Sequence, residues 1–264
     1  MNGKKGKQMS ETFCLGALLA VTGGFLDAYT YLTRGRVFAN AQTGNLVLLA
    51  MNLAGGQFQK AQYYLIPILA FIAGVLIAEV TCRCFQKGRR LHWRQIIILL
   101  EIITLASVAF LPAGSWDMAA NVLVSLVCSI QVQGFRKING NYLATTMCTG
   151  NLRSGTELLI HFLHTRDLFL LRQSLSCYGI ILFFLVGAAA GAWFCSFWGI
   201  RSVLLCCFLL CIVFFMMFFE PHSPGKKHAL RLCARKTVIL KNCYFTASVE
   251  QDWETNEHTA FSFG

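Results

Sequence analysis

Charge is what this chain has least of. Only 13% of its 264 residues are charged while 56% are hydrophobic, and mean hydropathy stands at +0.56. A soluble domain of this size needs a charged surface, so that class is excluded. The short alternating segments of an outer-membrane barrel are missing as well. The chain has no HExxH, no GxSxG and no tight Asp/His cluster on one helix, which argues against an enzyme. The "CRC" at Cys82 and Cys84 lacks the second pair that a tetrahedral metal site requires, so neither metal nor cofactor is expected. Most of the twelve cysteines, among them Cys128, Cys148, Cys206, Cys207 and Cys211, fall in apolar runs as small hydrophobes. No clustered recognition motif accompanies the net charge of +11, so nucleic acid is not an expected partner. In a multi-pass membrane protein, excess Lys and Arg flank the spans.

What the chain does have is long apolar runs. A hydrocarbon core of about 30 Å takes about 20 helical residues to cross. Six stretches qualify: Thr12–Leu32, Tyr63–Cys82, Gln95–Leu111, Met118–Gln133, Tyr178–Trp198 and Ser202–Phe219. The expected fold is therefore an all-α integral membrane protein with the lipid bilayer as its first partner. The basic start followed by an apolar run has the look of a secretory signal. That run continues through Asp27 to Leu32 with further spans behind it, so it reads as a retained first helix.

Two apolar segments are too short to span, and both carry "TGNL". Superposing Thr43–Leu46 on Thr149–Leu152 shifts the chain by 106 positions. Hydrophobic blocks then recur in order: a long span, a short TGN segment, and two long spans. The chain divides into a cytoplasmic N-terminus (1–11), two membrane repeats (12–112 and 117–219) and a cytoplasmic, partly disordered tail (220–264). The tail is basic from Lys226 to Lys241, which suits anionic headgroups, and acidic beyond Glu250.

Positive charge decides whether the TGN segments cross. Short cytoplasmic loops carry excess Lys and Arg. Lys4, Lys5 and Lys7 mark the N-terminus, and Arg83, Lys87, Arg89, Arg90 and Arg94 mark the most basic loop. If the first TGN segment spans, three crossings separate these two and the loop falls outside. If the segment dips and returns, two crossings intervene and both are inside. "PAGSWD" without Lys or Arg then lies outside, and "RKINGN", "HTRDLFLLR" and the tail lie inside. Arg34, Arg36 and Arg201 are left as exceptions. The expectation is six spans, cytoplasmic termini and two re-entrant half-helices. With three spans in each half, the two repeats are inverted.

Asn45–Ala54 as a helix rises about 15 Å, half the hydrocarbon thickness. Thr43 or Asn45 can cap it, and Gly44 permits a close turn. The second copy turns at Thr149, Gly150 and Asn151, so two helix N-termini with free N–H donors converge near the midplane. That suits an anionic or polar group, to which Arg153 adds charge and Asn40 a hydrogen-bonding amide. Glu157, one turn beyond Arg153, can pair with it. Thr and Asn also serve as ordinary interhelical hydrogen-bond partners. Asp27 and Glu101 are intramembrane carboxylates and hence candidates for ion or proton coupling. Gln131 and Gln133 are read as cross-helix hydrogen-bond partners, and His161 and His164 as interfacial residues.

"GGFLDAYTYLTRGRVFANAQTGNLV" and "CSIQVQGFRKINGNYLATTMCTGNL" resemble the two signatures of the YoaK-like bacterial membrane proteins (domain of unknown function 1275). Ser129 stands where that family shows Gly, and Val132 where it shows Asn. The resemblance covers residues 12–219 and implies a multi-pass protein of the bacterial plasma membrane with about six spans. It implies no substrate. The leading functional expectation is a transporter or channel for a small polar or anionic solute, with self-association left open. A membrane-embedded enzyme acting on a lipid or small molecule, and a scaffold or sensory subunit, remain as alternatives.

Overall fold

A computed structural model describes residues 13–85, 93–135, 137–138, 141–142 and 145–218. The amino-terminal lysines, the loop residues Lys87, Arg89 and Arg90, most of "RKINGN" and the tail from Phe219 lie outside the described residues, as do the side chains of Cys82 and Cys84.

The architecture is all-α. Its helices are α1 (Phe13–Thr33), α2 (Gln42–Ala54), α3 (Phe58–Phe85), α4 (Trp93–Val108), α5 (Asp117–Gly134), α6 (Cys148–Thr165), α7 (Leu168–Trp198) and α8 (Val203–Phe218). A two-residue hairpin, β1 (Lys137–Ile138) with β2 (Asn141–Tyr142), interrupts the stretch before α6. Three stretches are long and apolar enough to cross a membrane by length and composition: Phe13–Thr33, Phe58–Thr81 and Leu168–Met217, the last holding both α7 and α8. α4 and α8 have 16 residues each, about 24 Å by helical rise. Both are shorter than the runs that suggested them.

Contacts along the helices fix their directions. Gly179 of α7 lies against Phe13, Gly187 against Val21, Gly191 against Phe25, and Ile200 accepts from Tyr29, so α1 and α7 run parallel. Gly74 of α3 lies against Leu126 and Ser129, and Glu79 accepts from Gln133, so α3 and α5 also run parallel. Arg34, just past the end of α1, pairs with Asp117 at the start of α5, so the second pair runs opposite to the first. α2 packs on α3, α6 on α7, α4 on α5 and α8, and α8 on α1.

Glycine makes the close approaches possible. A Cβ on Gly24 would overlap the Phe184 carbonyl, and one on Gly187 would overlap the backbone of Val21. Gly187 and Gly191 form a small-xxx-small pair on the face of α7 that meets α1, the spacing at which backbones draw together without a driving force from water. Outward faces are apolar. Leu69, Ile72, Leu76 and Val80 of α3 and Leu175, Leu182, Leu185 and Val186 of α7 are exposed, as suits a lipid-facing surface.

Two expected boundaries move. "HTRDLFLLR" was expected as a loop, yet helix occupies nearly all of it. The chain reverses at Arg166, whose φ is +56°, and Asp167 starts α7 by accepting from Phe169 N at 2.8 Å. α6 is also longer than a half-helix, at 18 residues, about 27 Å by rise. Its apolar positions continue through Leu163, and nothing stops the helix before that turn.

Candidate functional site

α2 begins at Gln42 and α6 at Cys148, the 106-residue offset found between the two TGN motifs. The residues at the cap positions are Ala41 and Met147, and neither helix has a side-chain cap. Thr43 and Asn45 therefore do not cap α2, because both lie inside its first turns. The cap comes from another helix. Asp27 Oδ1, on α1, accepts from the backbone N–H of Asn40 at 2.6 Å and of Ala41 at 3.4 Å. A carboxylate at a helix start satisfies donors that the helix itself leaves unpaired. The two amides just before α2 are thus committed to the protein's own Asp27, while Gln42 N, at the start of the helix, donates to Asn40 O at 2.8 Å.

Asn45 is fully buried and its polar atoms are occupied. Its Nδ2 donates to Phe38 O at 2.8 Å and to Gln42 Oε1 at 2.9 Å, and its Oδ1 accepts from Phe38 N at 3.0 Å. This reciprocal clasp holds the irregular segment before α2 against the helix. A Cβ on Gly44 would press on the Phe38 ring at 2.9 Å, so the glycine seats that ring. In both motifs the Asn is buried while the Thr is exposed. Asn151 is 5% exposed, whereas Thr43, Thr149 and Gly150 face outward.

The segments leading into α2 and α6 meet at Gly23, the middle residue of α1. Asn40 Nδ2 donates to Gly23 O at 3.3 Å, and a Cβ on Gly23 would overlap the Thr146 methyl. The same 106-residue shift places Asn40 on Thr146, so equivalent residues of the two copies touch one glycine. The residues of this junction and its lead-ins include three buried polar atoms without a hydrogen-bond partner: Asp27 Oδ2, Asn40 Oδ1 and Thr145 Oγ1. Cys128 of α5 lies beside Asn40. Two further unpartnered atoms, Asn121 Oδ1 and Ser125 Oγ, belong to α5.

The remaining candidates stand apart from this junction. Arg153 is exposed, and so is its counterpart Val47. Among the described residues no ion pair joins Arg153 to exposed Glu157. Glu101 is 1% exposed, and both its oxygens accept from Gln131 Nε2, at 2.9 and 3.0 Å, between α4 and α5. Gln131 and Gln133 both act as cross-helix partners, as expected from the sequence. His161 and His164 are exposed on α6, and among the described residues no three His, Cys, Asp or Glu side chains gather as metal ligands.

Thr145, Thr146 and Gly23 were not singled out from the sequence. The signal for the threonines was present, since the 106-residue shift carries Ala39 and Asn40 onto them. Gly23 could be found only by knowing what packs on α1.

A family model described as a protein of unknown function (DUF1275) matches residues 15–216. A UPF0700 transmembrane protein YoaK of Bacillus subtilis (strain 168) is 30% identical over 177 residues, covering 63% of this chain and 77% of the relative. No solved structure matches the chain.

Proposed function

We propose that this chain, which belongs to the DUF1275 family of proteins of unknown function, is a membrane transporter or channel for a small polar solute handled where the two TGN lead-ins meet. The meeting of Asn40 and Thr146 at the middle of α1, beside unpartnered buried oxygens, carries the reading. Irregular backbone at membrane depth is tolerated where protein or a water-filled cavity surrounds it, and broken helices at mid-depth build transporter sites.

Chain path supports a dip and return for the first segment. Gly35, just past α1, lies against Tyr63 near the start of α3, so the segment begins and ends at one end of the bundle. Between these points the chain descends to Asp27 and Gly23. Gly23 lies ten residues below the end of α1, about 15 Å by rise. The 13 residues of α2 return it. The second lead-in follows α5, at the opposite end, and reaches the same glycine. With α1 and α7 parallel and α3 and α5 opposed to them, this favours two inverted repeats of three spans, with α4 and α8 as the third span of each. The charge pattern favours cytoplasmic termini in a bacterial plasma membrane.

Two observations weigh against an anionic solute. Arg153 is exposed, and Asp27 already accepts from the amides leading into α2. A neutral or cationic polar solute suits the junction better.

Purified protein in liposomes tests the reading against a panel of sugars, polyols, amino acids, organic acids and amines. At least one solute should cross faster than in protein-free vesicles and should raise the Tm of the protein. Asn40→Leu should lose both effects while the protein still purifies as a folded species. No flux above protein-free vesicles across the panel, or a variant that keeps binding and flux, overturns the proposal.

A further inference from the structure

Every buried oxygen left without a partner at the Gly23 junction can accept, and one of them carries charge. Asp27 is 5% exposed, Asn40 9% and Thr145 2%. Asp27 and Asn40 are joined by the 2.6 Å bond from Asn40 N to Asp27 Oδ1, while Asp27 Oδ2 and Asn40 Oδ1 have no partner. Thr145 adjoins them through the chain. Its neighbour Thr146 touches Gly23, where Asn40 Nδ2 also donates, and Cys148 lies within electrostatic range of Asp27. Burying acceptors and a carboxylate oxygen with nothing to receive costs free energy, unless something of opposite character completes the set.

The chemistry of the completing group can be narrowed. A carboxylate, an amide oxygen and a hydroxyl are hard oxygen donors, which suit an alkali or alkaline-earth cation better than zinc or copper. Divalent calcium is held by six to eight oxygens, several of them from carboxylates. Among the described residues Asp27 is the carboxylate that bonds the lead-in itself, while Glu101 accepts from Gln131 and Glu79 from Gln133. Arg34, the buried cation nearest in sequence to Asp27, is paired with Asp117 at the end of the bundle. One negative charge with neutral oxygens balances one positive charge.

We infer that the junction binds a monovalent metal cation, held by Asp27 Oδ2 with Asn40 Oδ1 and Thr145 Oγ1. This rests on the proposed solute site and makes the cation either its cargo or its coupling ion. Both lead-ins contribute ligands, so the cation ties the two halves of the chain together at the centre of α1. Its release would leave the junction with an uncompensated buried carboxylate, which couples occupancy to the packing of both segments.

The test is thermal unfolding of the purified full-length protein in choline chloride, with lithium, sodium or potassium chloride substituted at constant ionic strength. One alkali cation should raise Tm along a saturating curve. Asp27→Asn keeps an acceptor for Asn40 N and should abolish the rise. Thr145→Val should move half-saturation upward by about tenfold, equivalent to about 1.4 kcal/mol for one lost ligand, and Thr145→Ser should restore it. If Asp27→Asn does not fold, the Thr145 pair decides alone. Equal Tm in all four salts, or an unchanged response in Thr145→Val, overturns the inference. Cation binding without flux of any solute would overturn the transport proposal and leave the cation site standing. Flux indifferent to the salt, with no cation-specific Tm rise, would do the reverse.

Discussion

Arg34 has no exposed side-chain surface, yet it sits where the sequence suggests a charge flanking a span. Its Nε donates to Tyr29 Oη at 3.1 Å. Its terminal nitrogens donate to the carbonyls of Val108, Leu111 and Pro112 and to Asp117 Oδ1, at 3.0 to 3.3 Å. One guanidinium thus donates to carbonyls at and just past the C-terminus of α4 and holds the start of α5 beside the end of α1. Asn121 adds a bond from its Nδ2 to Arg34 O at 2.7 Å. Removing one member of a buried ion pair costs about 3–5 kcal/mol, because the other is left uncompensated. Asp117 is 13% exposed and can reach solvent, so the two residues should not be equivalent. Arg34→Met is expected to lower stability by about 3 kcal/mol, and Asp117→Asn by about 1 kcal/mol, because Arg34 keeps its other acceptors. Denaturant unfolding in detergent compares them, and equal losses would show that the ion pair, not the carbonyl cluster, is what Arg34 supplies. A count of Lys and Arg along the chain cannot foresee this, because the acceptors lie more than 70 residues away.

At the scale of helices, the apolar runs located the long elements, and the repeated TGNL located the short ones with the right offset. The meaning of each TGN residue was less legible. Asn45 reads equally as a cap or a ligand until its partner, Phe38, is seen folded back along α2. The glycines divide in the same way. A Cβ at Gly150 meets nothing within 4 Å, whereas at Gly187 it meets the Val21 backbone. Gly150→Ala should therefore leave stability unchanged or raise it by about 0.5 kcal/mol, through lower unfolded-state entropy. Gly187→Leu must push α7 away from α1, and is expected to abolish purification as a folded monodisperse protein. Thermal unfolding and size-exclusion chromatography read both outcomes. A stable Gly187→Leu protein would mean that α1 and α7 do not pack backbone to backbone.

For the whole molecule, the positive-inside count treated Arg34, Arg36 and Arg201 as exceptions to its topology. Arg34 is no longer one, since a buried guanidinium paired with Asp117 does not act as a flanking charge. Two exposed arginines, Arg36 and Arg201, remain on the proposed outer side, against the basic loop around Arg89 and the tail on the other. Correcting for burial strengthens the charge argument, and the result turns on where the short α2–α3 connection emerges. If α2 dips and returns, exposed Gln57 lies on the same side as exposed Arg36, just before the segment. If α2 crosses, the two lie on opposite sides. Single cysteines introduced into a cysteine-depleted chain at Arg36, Gln57 and Arg166, all exposed, can be probed in intact cells with a membrane-impermeant maleimide. Arg36→Cys and Gln57→Cys are expected to label directly, and Arg166→Cys only after permeabilisation. Labelling of Arg36→Cys directly but of Gln57→Cys only after permeabilisation would make α2 a crossing helix. That result would also remove the inverted arrangement of the halves, and with it the reason for both TGN lead-ins to meet at one depth.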